Sequence, residues 1–338
     1  MRFVSSLVVV LSLLTCARIA DAHEAWGLIV HPDGTIYFAD IPTNTIWRVT
    51  PEGRLEVAVR DKHSHALVAM EDGTIYGTHE HTRARPGEVW RLAPNGDLRV
   101  VFIASEAFEM SLHAFLMATD GTIYSTNVYA GPGSPHHLLR RSPSGSIDVT
   151  VGEAAGIDGL APGPNGSIYF TDTTGLRRVS LDGTVTTIAH GMTEPSWGED
   201  LMGLTVESAT SIYVADYSGH RVLRVNGAGE RTAIFSSRWP WSPTGVALQG
   251  TSMFILEHLR MPFVLLGNLG VGPYIRVLRV ATNGTSDRRV VVWGRYSSVA
   301  GVITFAAVVA LAAIVLRRRV RDPHASMPQK NLETDRRA

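Results

Sequence analysis

The stretch GLIVHPDGTIYFADIPTNTIWRVTPEGRLEVAV, residues 27–59, contains four short runs rich in Val, Ile, Leu, Thr and aromatic residues. Asp-Gly joins the first run to the second, and Glu-Gly joins the third to the fourth. Such pairs favour tight hairpin turns. The stretch therefore predicts a sheet of four antiparallel strands. A lone sheet of this size cannot bury both of its faces, so it needs neighbours of the same kind.

The same pattern recurs five more times along the chain. The turn glycines Gly34, Gly73, Gly121 and Gly166 are 39, 48 and 45 residues apart. A four-stranded unit with a period of roughly 40–50 residues is typical of a propeller blade. No segment of the repeats keeps an apolar period of 3.6 residues, which excludes a stack of helical repeats. The sequence predicts an all-β fold, a six-bladed β-propeller of four-stranded antiparallel blades over residues 23–294.

The two ends of the chain carry targeting patterns. Residues 1–22 combine Arg2, an apolar run and a small-residue cleavage pattern, which predicts a secretory signal peptide. Residues 297–316 are uncharged and mostly apolar, about the length of a helix that crosses roughly 30 Å of hydrocarbon. The basic run that follows marks the cytoplasmic side. We expect a single-pass membrane protein with its propeller outside the cytoplasm, in the periplasm or at the cell surface, and a short cytoplasmic tail of residues 317–338.

Composition excludes several classes of function. The 31 basic and 31 acidic residues cancel, so no basic surface for nucleic acid is indicated. The only cysteine, Cys16, lies in the predicted signal, so the exported domain has neither a disulfide nor a cysteine nucleophile. No G-x-S-x-G elbow and no phosphate-binding glycine loop is present.

Propeller topology places several polar residues at one end of the central channel. The tight turns lie on one face of the disc. The starts of the inner strands and the ends of the second strands lie on the other face, the channel mouth. His65, His113 and Asp158 occupy the same position in blades 2, 3 and 4, eight residues before the turn glycine. We therefore expect them at one mouth. The corresponding residues of the other blades are Trp26, Met202 and Thr244.

The end of the second strand supplies another set of polar side chains. Asp172 and Asp216 are expected to be structural, because an Asp there satisfies backbone amides of a tight loop. His63 and His81 are expected to be exposed loop residues. The full set at the strand ends is Asp40, His79, Asn127, Asp172, Asp216 and Glu257.

These residue types fit metal chemistry. Two imidazoles and one carboxylate form a usual ligand set for Zn²⁺, while carboxylates and amide oxygens suit Ca²⁺ or Mg²⁺. A bound metal polarises a carbonyl group and lowers the pKa of water, and a nearby histidine can move protons. The pattern predicts a divalent metal, Zn²⁺ or Ca²⁺, held by His65, His113 and Asp158, with catalytic roles for His65 and His79. A packed polar channel is the alternative.

Two segments resemble known families. Residues 213–225, YVADYSGHRVLRV, resemble the NHL repeat, and residues 23–42, HEAWGLIVHPDGTIYFADIP, are similar to the start of the senescence-marker-protein/gluconolactonase family. The resemblance covers about residues 23–294. It implies a six-bladed propeller with metal-dependent lactonase activity, in which Glu24 and Asp158 are metal ligands. The family has Asp-Gly in blade 5, where this chain has Met202-Gly203; Glu199 or Asp200 could stand in for the missing acid.

Two functions follow from these observations. One is a membrane-tethered, metal-dependent hydrolase that opens a small ester or lactone at the channel mouth. The other is a non-catalytic NHL-type binding or scaffold head. The partner in either case is a small molecule. Residues 259–274 form a long apolar loop that either covers the channel as a lid or enters the lipid headgroups, and the second arrangement favours apolar substrates.

Overall fold

The computed structural model describes residues 24–80, 86–104, 110–127, 136–154, 156–173, 175–192, 201–260, 275–282 and 289–293, together with residues 311 and 314. Within these residues, 24 strands form six four-stranded sheets, each with its strands in chain order and antiparallel. The all-β six-bladed propeller predicted from the repeat is therefore confirmed.

Each blade takes its strands from one repeat, and one short 3-10 helix, Pro164–Gly166, lies in the first turn of blade 4. Blade 1 comprises β1 Leu28–Val30, β2 Ile36–Asp40, β3 Thr45–Val49 and β4 Leu55–Arg60. Blade 2 comprises β5 Leu67–Ala69, β6 Ile75–His79, β7 Glu88–Leu92 and β8 Leu98–Ile103. Blade 3 comprises β9 Met110–Met117, β10 Ile123–Asn127, β11 His136–Arg141 and β12 Ile147–Ala154. Blade 4 comprises β13 Ile157–Pro162, β14 Ile168–Asp172, β15 Gly175–Val179 and β16 Val185–His190. Blade 5 comprises β17 Leu201–Ser208, β18 Ser211–Asp216, β19 Arg221–Val225 and β20 Arg231–Ser236. Blade 6 comprises β21 Trp241–Gln249, β22 Ser252–Leu259, β23 Ile275–Ala281 and β24 Arg289–Trp293.

The Asp-Gly-Thr turns explain why the strands pair as they do. In the first turn of blade 1, the Asp33 carboxylate accepts the Thr35 N–H at 2.8 Å, and Gly34 between them has a φ of 88°. A positive φ is accessible to glycine without steric cost. Asp72 and Thr74 repeat the contact at 2.8 Å in blade 2. The turn fixes the register of each hairpin, and that register points the apolar side chains into the gaps between blades.

The ring closes through side-chain packing. Each inner strand packs beside the inner strand of the next blade, and β21 of blade 6 packs against β1 of blade 1. At that seam, Leu28 and Phe38 share a buried cluster with Phe254 and Leu256. Blade 1 uses β1 as its own inner strand and blade 6 uses β24 as its own outer strand, so no strand is exchanged between them. Among the described residues, side-chain packing and not a shared strand therefore joins the two ends of the repeat.

Glycines let the inner strands approach one another around the channel. A Cβ on Gly159 would lie 2.3 Å from the Met202 carbonyl oxygen of the next blade. A Cβ on Gly245 would lie 2.4 Å from the Trp26 carbonyl oxygen across the closing seam. Both distances are too short for a side chain, so the backbone contact requires glycine. The repeated Gly after the mouth position is therefore a packing requirement of the ring.

Several predicted segments lie outside the described residues. They are the signal peptide of residues 1–22, residues 261–274 of the apolar loop, the membrane helix of residues 297–316 apart from Leu311 and Ile314, the tail of residues 317–338, and the side chains of His81, Glu199 and Asp200. In the part of the chain that is described, no helix has both the length and the apolar character needed to span a bilayer.

We predict that Gly245→Ala destabilises the propeller, because the added methyl group meets the Trp26 carbonyl oxygen and pushes blades 6 and 1 apart. Overpacking of this kind costs about 1–3 kcal/mol. Urea unfolding followed by tryptophan fluorescence measures the change. Gly152→Ala on an outer strand is the matched control, since a Cβ there meets nothing within 4 Å. Equal stability of the two variants would show that the seam tolerates separation.

Candidate functional site

One carboxylate at the channel mouth is shared by three histidines. Glu80 follows β6 directly, and its Oε2 lies 3.0 Å from Nε2 of His65 and 3.4 Å from Nε2 of His63. Its Oε1 lies 3.3 Å from Nδ1 of His113. Glu80 thus joins the starts of the inner strands of blades 2 and 3.

The network continues into blade 4. The Nε2 atom of His113 lies 3.4 Å from Oδ1 of Asp158, and the rings of His65 and His113 are 4.1 Å apart. The structure therefore brings the predicted trio His65, His113 and Asp158 together, with Glu80 between the two histidines. Their role as metal ligands stays a prediction.

Backbone contacts hold the histidine segment in place. The Ser64 hydroxyl donates to the Ala66 carbonyl oxygen at 2.9 Å and accepts the Thr78 N–H at 3.0 Å. The Glu80 N–H donates to the His63 carbonyl oxygen at 3.0 Å. These bonds tie the start of β5 to the end of β6. The spacing of the two histidines therefore depends on the serine between them.

Two positions of the cluster were misread or missed in the sequence. The expectation that His63 is an exposed loop residue is wrong. Its side chain is only 17% exposed and contacts Glu80. Glu80 was not identified at all. It stands one residue beyond His79, where β6 has ended and the connecting loop sets the direction of the side chain. The position of Glu80 directly after a histidine that ends a strand is the sequence pattern that indicates a carboxylate at the mouth.

His79 makes a different contact from the other histidines. Its Nδ1 accepts the His63 backbone N–H at 3.2 Å, and its ring centre is 6.5 Å from that of His63. This bond helps to position His63. The predicted catalytic role of His79 stays a prediction.

Blades 1 and 5 give the mouth an apolar side. The Trp26 ring lies 4.8 Å from the His65 ring and 4.9 Å from the His113 ring. Met202 is fully buried and belongs to the same apolar cluster as Trp26. At the inner-strand position, the ionisable side chains are therefore on blades 2, 3 and 4.

Glu24 lies two residues before Trp26 in the sequence, and its side chain contacts Tyr217, which follows the second strand of blade 5. The Tyr217 hydroxyl donates a hydrogen bond to its Oε1. Burial raises the pKa of Glu24, although this hydrogen bond and the positive charge of Arg260 act against the rise. The metal-binding role implied by the family resemblance stays a prediction for Glu24.

The acids at the ends of the second strands stabilise loops, as predicted for two of them. Asp172 accepts the Gly175 N–H at 2.9 Å and pairs with Arg177 at 2.9 Å. Asp216 accepts the Gly219 N–H at 2.8 Å and pairs with Arg221 at 2.6 Å. The structural interpretation is therefore confirmed for both.

The shared carboxylate sets the charges of the site. Burial acts to raise the pKa of Glu80, but hydrogen bonds from His113, His63 and His65 outweigh it and hold that pKa well below its usual range. Burial acts to lower the pKa of His113, but Asp158 and Glu80 outweigh it and raise the pKa to about 10. Without a metal, His113 is therefore a cation between two carboxylates at neutral pH.

The cluster also fits a metal ion. Among the residues that the structure describes, the ligating atoms of His63, His65 and Glu80 all lie within 4.8 Å of one another. Two imidazole nitrogens and one carboxylate oxygen are the donors of many catalytic Zn²⁺ sites, which keep a fourth position for water or substrate. This set shares only His65 with the four residues predicted from the sequence.

Fold and site together define a six-bladed propeller with a polar cluster at its channel mouth. The sequence profile of the SMP-30/gluconolactonase/LRE-like region matches residues 25–256. The chain therefore belongs to the SMP-30/gluconolactonase/LRE-like family. No curated protein is similar enough in sequence to count as a relative.

Solved structures with low sequence identity share the fold. A gluconolactonase from Xanthomonas campestris is 16% identical, with a TM-score of 0.54 over 68% of this chain and 82% of that one. The calcium-binding protein regucalcin from Agrobacterium tumefaciens is 16% identical, with a TM-score of 0.55 over 71% of this chain and 85% of that one. Virginiamycin B lyase from Staphylococcus aureus is 14% identical, with a TM-score of 0.51 over 79% of this chain and 84% of that one.

We predict that the metal-free chain loses stability as the pH rises from about 6.5 towards 10. The folded state raises the pKa of His113 to about 10, whereas an unfolded histidine titrates near about 6.5. The stabilisation is thus complete below the lower value and is lost as His113 deprotonates. By linkage, a pKa of about 10 against about 6.5 corresponds to about 5 kcal/mol, at about 1.4 kcal/mol for each pKa unit. Melting temperature against pH, compared with His113→Gln, measures it.

The exposed histidine His190 supplies the control for this measurement. His190→Gln should keep the pH dependence of the unaltered chain, while His113→Gln should flatten it. Identical slopes in all three proteins would mean that the His113 cation contributes nothing to folding.

Proposed function

We propose that this chain is a metal-dependent hydrolase that opens a small lactone or ester at the channel mouth. The observation that carries the proposal is the convergence of His63, His65 and Glu80, with ligating atoms within 4.8 Å of one another. The family and the shared fold of the Xanthomonas campestris gluconolactonase support a lactone as the substrate class.

The donor set favours Zn²⁺ over Ca²⁺. His63 and His65 offer nitrogen ligands, which suit Zn²⁺, whereas Ca²⁺ takes oxygen ligands almost throughout. The name of the Agrobacterium tumefaciens neighbour, a calcium-binding protein, keeps Ca²⁺ as the second candidate. When bound, either ion would polarise the substrate carbonyl and lower the pKa of a water molecule.

The surrounding residues would orient the substrate and move protons. Hydrolysis adds water to the carbonyl carbon, breaks the ring C–O bond and requires a proton on the leaving oxygen. His113, which Asp158 and Glu80 keep protonated, is placed to give that proton. Trp26 packs against the two histidine rings and would give the substrate an apolar surface there.

A non-catalytic binding head is the second candidate. Met202 supports it, because this buried side chain occupies the blade 5 position where the family resemblance implies an acid. The same mouth would then hold a small molecule without cleaving it. Turnover of a bound lactone separates the two functions.

Membrane attachment is also part of the proposal. The apolar run of residues 297–316 and the signal-like residues 1–22 support a propeller tethered outside the cytoplasm by a C-terminal helix. The apolar loop of residues 259–274 would lie over the channel or against the lipid. Carbonate extraction of membranes and protease protection of the propeller test this arrangement. Release by carbonate would contradict it.

We predict that Zn²⁺ raises the melting temperature of the full-length chain, because an ion that binds only the folded state stabilises it. His65→Ala and Glu80→Gln should remove the shift, since each deletes a ligand. Titration calorimetry with Zn²⁺ and Ca²⁺ measures the affinity. Glu24→Gln separates the two ligand sets: it should leave Zn²⁺ binding intact if His63, His65 and Glu80 hold the ion.

His190→Ala is the matched control for this prediction, since it deletes an exposed imidazole of blade 4. It should not change the shift. A chain that binds neither ion, or one whose binding survives both His65→Ala and Glu80→Gln, would contradict the proposed site.

We predict that the metal-loaded chain converts a lactone to its hydroxy acid, with a mass gain of one water. A panel of γ- and δ-lactones and simple esters, followed by mass spectrometry, measures this. His113→Gln should lower kcat by roughly 10²–10⁴-fold, the usual contribution of a positioned acid or base. Elimination without uptake of water would indicate a lyase, and no turnover of any substrate would favour the binding head.

A further inference from the structure

We propose that Arg260 forms an anion-binding subsite on the side of the mouth opposite the histidines. It would take a carboxylate, phosphate or sulfate group carried by the ligand. That this ligand is also the substrate rests on the proposed function. The anion site itself depends only on the groups around Arg260.

Arg260 lies on the mouth face of the disc, because it directly follows β22, the second strand of blade 6. Its Nη1 donates to Nε2 of His220 at 3.0 Å and to the Ser218 carbonyl oxygen at 3.4 Å. Its guanidinium carbon stands 5.0 Å from the centre of the Tyr217 ring. The guanidinium is therefore held in place from three directions.

None of these three contacts is with a carboxylate. Nδ1 of His220 lies 2.8 Å from the Trp241 carbonyl oxygen, which can only accept, so this nitrogen carries the proton. Nε2 is then free to accept from Arg260. His220 thus orients the guanidinium through a ring nitrogen and brings no negative charge to it.

Three arginines in the third strands of blades 4, 5 and 6 form ion pairs with carboxylates. Arg177 pairs with Asp172, Arg221 with Asp216, and Arg276 with Glu257, at 2.9, 2.6 and 2.5 Å. For Arg260, no carboxylate oxygen of the described residues lies within 4.0 Å.

The charge of Arg260 acts on Glu24, and Glu24 is already bound by the Tyr217 hydroxyl. The positive charge of Arg260 therefore remains uncompensated by a direct ion pair in the part of the chain that is described.

The donors that Arg260 does not use have the geometry of an anion site. Its contacts to described residues use Nη1, which leaves the edge formed by Nε and Nη2. This edge presents two parallel N–H groups, the arrangement that binds carboxylate and phosphate groups in a bidentate manner. Because the guanidinium is already oriented, little side-chain entropy remains to be lost on binding.

Arg260 and the histidine cluster would then hold two ends of one ligand. Tyr217, beneath Arg260, belongs to the same apolar cluster as Trp26, whose ring contacts His65 and His113. A ligand that spans the mouth would place its anionic group at Arg260, its apolar part over these aromatic rings and its reactive carbonyl at the histidines. The substrate class is therefore a lactone or ester that carries a separate anionic group.

The test measures anion binding to the full-length chain by titration calorimetry, with propionate, methyl phosphate and methyl sulfate as probes. Metal is removed with a chelating resin, because a soluble chelator is itself an anion. Arg260→Gln should weaken the best probe roughly tenfold to a hundredfold, the effect of hydrogen bonds to a charged group. Arg260→Lys should recover only part of the lost affinity, since lysine keeps the positive charge but lacks the two parallel N–H groups. The ranking of the probes identifies the anionic group.

Two controls separate this site from the histidine cluster. Arg54→Gln removes one charge from a side chain that is 71% exposed on the turn face, and should leave binding unchanged. His65→Ala should also leave anion binding unchanged, because the Arg260 subsite does not depend on a metal at the histidines. Absence of binding by every probe, or binding that His113→Gln abolishes and Arg260→Gln does not, would overturn the proposal.

A second measurement on the unaltered chain covers the case in which Arg260→Gln does not fold. Crystals soaked in selenate should show anomalous scattering within hydrogen-bond distance of the Arg260 guanidinium. A peak only at His113, or none at all, would overturn the proposal.

Discussion

The close approach of the six inner strands is the constraint on which the rest of the molecule depends. Each blade buries its faces only against its neighbours, so the strands around the channel must meet backbone to backbone. Gly159 and Gly245 permit this contact with the Met202 and Trp26 carbonyl oxygens of adjoining blades. Because the starts of the inner strands are brought together in this way, the side chains at those strand starts share one mouth. The chemistry of the mouth is thus a consequence of the packing of the ring.

The charges at the mouth are arranged unevenly around that ring. Blades 2 to 4 hold three imidazoles and two carboxylates, in which Glu80 and Asp158 enclose His113. The opposite side holds Tyr217, Trp26 and the oriented cation Arg260. A metal ion can enter the first group only by displacing protons, because its histidine ligands must be neutral. Metal occupancy and local pH are therefore coupled on the side that would carry out the chemistry.

The fold could be predicted from the sequence because its signals are local. Asp-Gly turns fix hairpins, and the repeat of the hairpins fixes the blades. The inner-strand positions of His65, His113 and Asp158 followed from the same repeat, and the structure does bring them together. Glu80 and His63 were not predicted because they lie in connections. There, the direction of a side chain depends on how the loop turns and not on strand alternation. The contact between Glu24 and Tyr217 joins blades 1 and 5, and no local pattern announces it.

The seam between Trp26 and Gly245 has a consequence for the order of synthesis. Its two sides come from opposite ends of the repeat region, so blade 1 leaves the ribosome long before blade 6 exists to cover it. Until then, Leu28 and Phe38 have no blade 6 side chains to pack against, and contacts so distant in sequence form slowly. The nascent chain therefore has an exposed apolar flank for most of its synthesis. Only the closing of the ring by blade 6 covers this flank, so the last blade to be made protects the first.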